Sequence, residues 1–520
     1  MTAAHSEAPV PASAWIGFVA MCIGMFMAIL DIQVVASSLP NLGTALAIPQ
    51  DRLSWIQTSY LISEIIAIPL TGFLTRVFTV RWLIAGATLG FTLASIGCAA
   101  SPNFAALIAL RTVQGFFGGA LIPAVFTTVF ELFPRRLHPL ATAIAGTFAM
   151  MAPTAGPIVG GYLTEAYTWH AIFLINVAPG LLVSLLVALC IHIGKPDLPA
   201  LKHIAYITIV LAAIFLASLE LLLKESPKRH WHGPVVEVLL VVCLVSFALT
   251  IQQCLARAAP FVNLRRFRDR GFAVACFLSF ILGLGLYGAT YLLPLFLGFV
   301  RKHTALEIGE TMMVAGAVQL VCAPIAAWLE VRMSGKALVA IGYALFGAGL
   351  LTEGFSTIHT DFNGLILPQA LRGAGIMFCI LPSTRMALEG WPEMQIPDAS
   401  ALFNLMRNLG GAIGIALVDT VAEQRTPTHV THIINRLQAG DPLTAESVGL
   451  PSAMFHGHSL GPVSEAVKQM VAPLVNRTAL TASFNEAWLL LGVLFLISLP
   501  AIALLSRRAF SMIAYSARNK

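Results

Sequence analysis

The chain has 520 residues, of which 58% are hydrophobic and only 11% are charged, and its mean hydropathy is +0.83. Soluble domains carry about 25% charged residues, so this composition excludes a soluble globular protein and indicates a polytopic membrane protein. The net charge of +6 therefore gives no indication of nucleic-acid binding and instead reflects basic residues held on one side of a bilayer.

Fourteen apolar segments are each long enough to cross a bilayer, because about 20 residues rising 1.5 Å each match a hydrocarbon core ~30 Å thick. They predict an all-α polytopic membrane protein with 14 transmembrane helices. The first span lacks the features of a cleavable signal peptide and is expected to act as a signal anchor. The spans are predicted at residues 14 to 36, 54 to 75, 80 to 100, 104 to 130, 140 to 161, 170 to 192, 203 to 223, 234 to 253, 271 to 298, 307 to 329, 336 to 353, 363 to 385, 399 to 421 and 487 to 506.

The basic residues divide unevenly between the two sides that these spans define. The termini and the loops on their side hold 18 of the 31 lysines and arginines, whereas the opposite short loops hold six. By the positive-inside rule, both termini are expected in the cytoplasm, and the protein is expected in the inner (plasma) membrane of a bacterium. The cluster "KESPKRHWH" at 224 to 232 lies on the opposite side and departs from this rule.

The two halves of the chain carry related patterns, which indicates an internal repeat. Span four contains "IALRTVQGFFGGALIP" and span twelve contains "PQALRGAGIMFCILP", so Arg372 is the counterpart of Arg111. Two related bundles around a central cavity are typical of transporters that work by alternating access. The predicted organisation is a cytoplasmic N-terminal tail (1–13), an N-terminal six-helix bundle (14–192), two inserted helices with a cytoplasmic linker (193–270), a C-terminal six-helix bundle (271–506) that includes an external, partly helical loop (422–486), and a cytoplasmic tail (507–520).

Charged residues inside the spans of the first half are candidates for function. An arginine near the middle of a span, such as Arg111, costs roughly 2.5 to 3.5 kcal/mol on insertion scales, so a partner is needed to offset it. Asp31 in span one and Glu64 in span two are the candidate partners. A buried aspartate near an arginine can exchange protons near physiological pH. Glu64 is a candidate second proton site or cation-binding acid, or it forms a hydrogen bond to a neighbouring helix.

Span five contains "APTAGPIVGGYL", in which small residues recur four apart and a proline loosens the hydrogen-bond ladder. This stretch resembles the antiporter motif G-x-x-x-G-P-x-x-G-G of the major facilitator superfamily, in particular of its fourteen-helix drug:proton antiporters of the EmrB/QacA type. Ala152 stands in place of the first glycine. The resemblance implies a major facilitator fold, with two six-helix bundles plus two inserted helices, and efflux rather than uptake. The matching motif residues are Gly156, Pro157, Gly160 and Gly161.

Spans four and one are similar to two further motifs of this family. The matching residues of span four are Leu107, Arg111, Gln114 and Gly115. The resemblance implies that Arg111 takes part in proton coupling. Span one places Asp31 nine residues before Pro40, as the family does. It has Gln33 and Ala36 where the family has threonine and asparagine.

The loop after span two and its copy after span ten resemble the superfamily loop G-x-L-a-D-r-x-G-r-k. The first copy, "GFLTRVFTVR", lacks the acid and has Thr79 where glycine is usual, whereas the second, "AWLEVRMSGK", keeps an acid and a glycine. A cytoplasmic charge latch is therefore expected to depend more on the second copy. The candidate residues of this cytoplasmic gate are Gly72, Arg76, Arg81, Glu330, Arg332 and Lys336.

Polar residues of span thirteen follow helical spacing, and they are expected either to line the cavity or to seal its cytoplasmic side. In span six, "WHAIFLINVAPG" matches the family pattern W-r-w-I-F-x-I-N-x-P and is interpreted as structural. The candidates for the cavity or a gate are Gln33, Arg372, Asn404, Arg407 and Asn408.

These motifs predict a proton-coupled efflux antiporter that exports hydrophobic, amphiphilic or cationic drugs or toxic compounds. The alternatives are a dedicated exporter or symporter of a single metabolite and a polytopic membrane enzyme; the sequence lacks H-E-x-x-H, G-x-S-x-G and P-loop motifs, which argues against the enzyme. We expect protons as the coupling ion, no other cofactor, no metal at the histidine pairs 230/232 and 456/458, and no nucleic-acid partner. The resemblance allows for a periplasmic adaptor protein and an outer-membrane channel as partners, as in Gram-negative relatives.

Overall fold

The computed structural model of the chain describes residues 10–134, 137–192, 196, 206–229, 231–256, 264–388, 391, 396–451 and 465–505. Within these ranges the structure consists of helices and their connections, without a β-strand. Thirteen helices found there are long and apolar enough to cross a membrane. The prediction of an all-α polytopic protein is therefore confirmed. The C-terminal tail, most of the N-terminal tail and the histidines at 230, 456 and 458 lie outside the described residues.

The first half of the chain forms one bundle, in which the second and third predicted spans are two helical segments that follow each other without an intervening loop. The chain changes direction between them at Thr79, where φ is 68° and ψ is 158°. A four-residue helix and the helix after it together make the sixth span. The helices of this half are α1 (Ala12–Ser37), α2 (Leu39–Ala45), α3 (Ser54–Ala99), α4 (Phe104–Leu132), α5 (His138–Ala166), α6 (Ala171–Leu174) and α7 (Val177–Cys190).

The rest of the chain provides the two inserted helices and the second bundle. The inserted helices are α8 (Tyr206–Lys228) and α9 (Pro234–Ala256). The helices of the second bundle are α10 (Arg270–Leu295), which continues as a π-helical turn over Phe296–Arg301, then α11 (Ala305–Arg332), α12 (Gly335–Glu353), α13 (Phe362–Leu388), α14 (Ile396–Gln438), α15 (Pro442–Val448) and α16 (Glu465–Ala503).

Successive long helices run antiparallel, which gives the bundle two sides. We call the side where α1 begins and α16 ends the terminal side, and the opposite side the hairpin side. Helix starts on both sides are capped by side chains that satisfy free backbone N–H groups. Asn103 accepts from the amide of Ala106 at the start of α4 on the hairpin side, and Asp269 accepts from the amide of Phe272 at the start of α10 on the terminal side.

The helices α14 and α16 extend far beyond the spans predicted at 399 to 421 and 487 to 506. With 43 residues, α14 is about 65 Å long, roughly twice the thickness of a hydrocarbon core. Beyond the span it pairs with α16: Arg425 binds Glu486 at 2.5 and 2.9 Å, and Thr426 donates to Ser483 at 2.9 Å. The predicted external loop is therefore largely a helical hairpin where it is described. Its own apolar core contains Ile433, Leu437, Ala445, Val448, Val475 and Ala479.

Among the described residues, the two bundles meet mainly along two pairs of helices, with smaller contacts such as that of α1 with α10. Across the seam, α5 packs on α11 and α3 packs on α14. The inserted helices α8 and α9 pack on each other at the periphery, and α8 also contacts α3 and α14, one helix from each bundle. Only 17% of the most apolar stretch of α9 is buried inside the protein, so this helix presents its side chains to lipid.

Candidate functional site

Arg111 lies about two turns after the start of α4, and the structure pairs it with Asp31 of α1 in the fully buried interior. Nη1 of Arg111 donates to Oδ2 of Asp31 and, over 2.6 Å, to Oε1 of Gln114. Nε donates to the main-chain oxygen of Ile56 over 3.1 Å. The guanidinium also lies 4.4 Å from the ring centre of Tyr60. An ion pair, two further hydrogen bonds and an aromatic face therefore offset the burial of this arginine.

The other oxygen of Asp31, Oδ1, accepts hydrogen bonds from two amide groups. Nε2 of Gln114 and Nδ2 of Asn176 each donate to it over 3.0 Å. The same two amides also contact Oγ of Ser95, at 2.8 and 3.4 Å respectively. Every contact of the carboxylate is thus with a hydrogen-bond donor, which stabilises its charged form in a low-dielectric interior. We call Asp31, Arg111, Gln114, Asn176 and Ser95 the N-half polar cluster; it joins α1, α3, α4 and α7.

Glycines of α4 let α3 approach closely enough to place Tyr60 against Arg111. A Cβ on Gly115 would lie 2.3 Å from the main-chain oxygen of Tyr60, and one on Gly118 would lie 2.3 Å from its hydroxyl oxygen. No side chain larger than hydrogen fits at either position without moving α3. The glycine-rich sequence that follows Arg111 is therefore a close-packing surface that positions the cluster.

Glu64 is buried on α3, but its nearest partners are in the other bundle rather than at Arg111. Asn408 of α14 forms a hydrogen bond with its carboxylate, and the positive charge of Arg407 acts on it. Oε2 of Glu64 is buried without a hydrogen-bond partner among the described residues. The hydroxyl of Tyr287, on α10, donates to Oδ1 of Asn408 over 3.4 Å. Glu64 therefore lies at the seam between the two bundles, where α3 meets α14.

The predicted residues of span thirteen lie together along α14 near this seam. Nη2 of Arg407 donates to Oδ1 of Asn404 over 2.7 Å, which fixes the guanidinium along its own helix. A Cβ on Gly283 would lie 1.8 Å from the main-chain oxygen of Arg407, so α10 passes directly against this turn of α14. The structure thus brings Asn404, Arg407 and Asn408 together with Glu64.

The antiporter motif of α5 packs against α1 on one side. A Cβ on Gly156 would lie 2.4 Å from Cβ of Gln33, and one on Gly160 would lie 2.6 Å from a main-chain oxygen of α1. Oγ of Ser38 donates to the main-chain oxygen of Gly160 over 3.3 Å. Gln33, a cavity or gate candidate, is therefore in contact with the motif through its Cβ.

On its other side, the same motif packs against α11 of the second bundle. A Cβ on Gly161 would lie 2.4 Å from the main-chain oxygen of Ala305, and one on Gly309 would lie 2.3 Å from that of Pro157. Small residues on both helices thus allow backbone-to-backbone contact between the bundles. The motif residues therefore form part of the contact between the two bundles.

Arg372 lies in a second buried acid–arginine pair, with Glu353 at the end of α12. Nη1 of Arg372 donates to the two carboxylate oxygens of Glu353 over 2.9 and 3.0 Å. Nε2 of Gln369, three residues earlier on α13, donates to the same carboxylate. Arg372 is 3% exposed and Glu353 is fully buried. The repeat partner of Arg111 therefore binds an acid of its own bundle.

Gate candidates of the second bundle lie on the terminal side. Glu330 pairs with Arg385 across 3.6 Å, and the guanidinium of Arg332 lies 3.8 Å from the ring of Trp328. Nζ of Lys336 donates to a main-chain oxygen near the end of α16 over 3.1 Å. Glu330, the acid of the loop after the tenth predicted span, is thus in an ion pair.

The gate candidates of the first bundle are Gly72, Arg76 and Arg81. Nε of Arg81 donates to the main-chain oxygen of Ala188 over 2.7 Å, which ties the start of the third span to α7. A Cβ on Gly72 would meet nothing within 4 Å. The side chain of Arg76 lies outside the described residues.

Two functional candidates were not predicted from the sequence. Asn176 belongs to the pattern interpreted as structural, and its buried amide donates to Asp31; a buried amide in an apolar span needs such a polar partner. Glu353 lies at the last residue of a span, where an acid is expected to reach water, but it is fully buried. A polar residue inside an apolar span was the available signal for Asn176.

Several curated proteins are similar to this chain over nearly their full length, and their names describe export or resistance. The colistin resistance protein EmrB of Acinetobacter baumannii is 33% identical over 491 residues, which cover 94% of this chain and 95% of that protein. The multidrug export protein EmrB of Escherichia coli K12 is 26% identical over 486 residues, covering 93% and 94%. The fatty acid resistance protein FarB of Neisseria gonorrhoeae is 26% identical over 497 residues, covering 94% and 96%.

Solved structures with a similar fold are transporters at low sequence identity. A D-xylose–proton symporter superposes with a TM-score of 0.59 at 13% identity and covers 92% of this chain and 97% of its own. A bacterial homologue of the human lysosomal transporter Spinster, inward-facing and unoccupied, gives a TM-score of 0.62 at 13% identity, covering 96% and 98%. At these identities, the similarity shows the fold alone.

Residues 21–415 match the sequence model of the Major Facilitator Superfamily, which is more than half of the chain. The full-length similarity to EmrB proteins and the two-bundle fold agree with this match. The chain therefore belongs to the Major Facilitator Superfamily and, within it, to the transporters of the EmrB type.

Proposed function

We propose that the protein is a proton-coupled efflux antiporter that exports hydrophobic and amphiphilic compounds, including cationic ones. The observation that carries the proton coupling is the fully buried Asp31–Arg111 pair. Ionisable residues inside membrane spans are costly and mark ion or proton pathways. The N-half polar cluster links four helices through one titratable carboxylate, so a change in its charge acts on the whole bundle.

In this proposal, a proton that binds to Asp31 removes the negative charge that holds Arg111. The arginine keeps its hydrogen bonds to Gln114 and Ile56, both outside α1, whereas α1 loses the ion pair that ties it to α4. Because α1 also contacts α5 and α10, its release affects the seam between the bundles. The proton leaves when the ion pair forms again, and the substrate crosses in the opposite direction.

The substrate class rests on the relatives. Their names refer to multiple drugs, colistin and fatty acids, which share an apolar part but differ in charge. The acid Glu64 at the seam, with one buried oxygen lacking a described partner, offers a charge for a cationic substrate. A dedicated exporter or symporter of one metabolite is the alternative, and the breadth of accepted substrates distinguishes the two.

The orientation follows from the distribution of basic residues. We propose an inner-membrane protein with both termini in the cytoplasm, so that the terminal side faces inward and the helical hairpin faces outward. The hairpin exposes Leu443 and Met470, at 73% and 72% exposure, and is the surface that we propose for a periplasmic adaptor protein leading to an outer-membrane channel.

Everted membrane vesicles with an imposed proton gradient test the proposed function. A pH-sensitive dye reports the acidic interior, and ethidium, a cationic detergent and a fatty acid serve as probe compounds. We expect at least one probe to dequench the dye with the wild type but not with Asp31→Asn. Asp361→Asn, which alters an exposed aspartate on the hairpin side, is the matched control and should behave like the wild type. A wild type that moves no protons with any probe contradicts export of this substrate class.

A further inference from the structure

The second bundle contains a buried acid–arginine pair that has no role in the coupling proposed at Asp31. Glu353 and Arg372 are both buried, and Gln369 completes the contacts of the carboxylate. Nε of Arg372 is buried without a hydrogen-bond partner among the described residues. The arginine therefore retains an unused donor, as Arg111 does at its Nη2.

The two pairs are built alike in the two repeats: each consists of one acid and one arginine. Each arginine stands on the repeat-related helix, α4 or α13, and each has a glutamine three residues away that also binds the acid. The acids differ in origin, because Asp31 comes from α1 whereas Glu353 comes from α12. The second pair is therefore a separate site within its own bundle and does not share residues with the first.

Glu353 is close to the aqueous boundary of the hairpin side. It is the last residue of α12, and the connection that follows it exposes Phe355, Thr357 and His359. A proton from that side needs to pass only about one helical turn to reach the carboxylate. Arg372 lies deeper, in the third turn of α13.

Other charged groups on the neighbouring elements have contacts of their own or are exposed. Ahead of α13, Asp361 binds Arg301 and His303. On α16, Glu486 binds Arg425 and His429. On α11, Glu307 caps its own helix and Glu310 is exposed. The charge that acts on Glu353 is that of Arg372.

Stability alone is a weak reason for such a pair. Removing two charges from water can cost more than their attraction returns, and apolar replacements of buried ion pairs are often neutral or stabilising. The arginine stabilises only the charged form of the carboxylate, so the charge on Glu353 decides whether the pair with Arg372 is held or broken.

We propose that Glu353 is a second proton-exchange site, so that a transport cycle carries one proton at Asp31 and another at Glu353. This inference rests on the proposed proton-coupled function. A proton from the hairpin side forms an O–H bond with a carboxylate oxygen of Glu353, and the ion pair with Arg372 is broken while the arginine keeps its charge. The proton leaves Glu353 when its ion pair with Arg372 forms again in the other half of the transport cycle.

Infrared difference spectroscopy on the full-length protein in lipid tests the titration without a substrate. The carbonyl stretch of a protonated, buried carboxyl should grow as the pH is lowered in the wild type. One component should be missing in Glu353→Gln and a different one in Asp31→Asn, whereas Glu353→Asp should restore a shifted band. Glu310→Gln is the control for an exposed acid of the same bundle. If Glu353→Gln leaves every band of the wild type in place, Glu353 does not titrate and the inference is wrong.

Proton-to-ethidium stoichiometry in proteoliposomes provides the functional test. The ratio obtained from reversal potentials should fall by one proton per ethidium in Glu353→Gln. If that single variant does not fold, Glu353→Gln/Arg372→Gln removes both charges, and the same loss of one proton is expected. An unchanged ratio overturns the second site while leaving the proposed antiport intact. Absence of proton-linked flux in the wild type instead contradicts the proposed function, and the infrared bands then decide on Glu353 alone.

Discussion

Asn176, the residue before α7, donates a 3.0 Å hydrogen bond to Asp31 of α1 across the interior of the first bundle. Hydrogen bonds to charged groups contribute about 1.5 to 3 kcal/mol, and this one supports the charged form of the carboxylate. The residue therefore positions the proposed proton carrier as well as packing the sixth span.

Replacing Asn176 with alanine should slow proton-driven transport by about tenfold or more, because the buried carboxylate loses one of its two amide donors. The initial rate of dye dequenching in everted vesicles measures this effect. Asn363→Ala, at an exposed asparagine near the start of α13, is the matched control. Equal rates for the two variants would show that the Asn176 hydrogen bond has no part in coupling.

Replacing Gly161 with alanine should lower the stability of the protein by about 1 to 3 kcal/mol, because the new methyl group would lie 2.4 Å from the main-chain oxygen of Ala305. Thermal unfolding of the purified protein measures the loss. Gly146→Ala, on the same helix, has open space around its Cβ and should be neutral or slightly stabilising. A Gly161→Ala protein as stable as Gly146→Ala would show that α5 and α11 separate easily.

Replacing Thr79 with glycine should stabilise the protein by about 1 kcal/mol, because φ and ψ of 68° and 158° lie in a region that only glycine adopts without strain. The unfolding temperature should therefore rise. The matched control is Thr112→Gly, at an exposed helical threonine of α4, which should lower it because glycine weakens a helix. A fall in unfolding temperature for both variants would mean that the contacts of the Thr79 side chain outweigh the backbone strain.

Replacing Asp361 with asparagine should destabilise the hairpin side slightly at neutral pH. The backbone amide of Phe362 and the guanidinium of Arg301 hold the pKa of Asp361 below its usual value. A lowered pKa contributes stability above the unfolded value of about 3.9, and this contribution is lost as the pH falls through the lower folded value. Because the side chain is 54% exposed, the effect should stay below about 1 kcal/mol.

Unfolding temperatures of the wild type and Asp361→Asn, measured from neutral pH to below pH ~4, check this dependence. The difference between them should be present at neutral pH and should vanish in acid. Glu310→Gln, at an exposed acid on the same side, is the control. A difference that grows on acidification would contradict the assigned sign.

Hydropathy alone was sufficient to predict the helices, because every span must satisfy its backbone within the bilayer. The same signal could not predict how far α14 and α16 continue outside it. Their extension depends on apolar contacts between residues such as Ile433 and Val475, which are far apart in sequence. Hydropathy therefore marks where a span can end, whereas tertiary packing decides where the helix ends.

The candidate site was predictable where a charge stands alone in an apolar span. Arg111 required an acid, and Asp31 and Glu64 were the two candidates, but only the packing of α1 against α4 distinguishes between them. The partners of Glu64 come from the other bundle. Glu353 is buried because α13 and α16 pack over it, which the residues next to it in the sequence do not reveal. Such relationships depend on contacts between distant segments.

The inserted helix α8 contacts both α3 and α14, and therefore covers from outside the line along which the two bundles separate. A lipid-dissolved compound approaching that line would meet the wall formed by α8 and α9 instead of an opening. The α5–α11 line has no inserted helix against it among the described contacts. In the described part of the chain, the two extra helices therefore shield the α3–α14 line from lipid and make the surroundings of the two-bundle seam asymmetric.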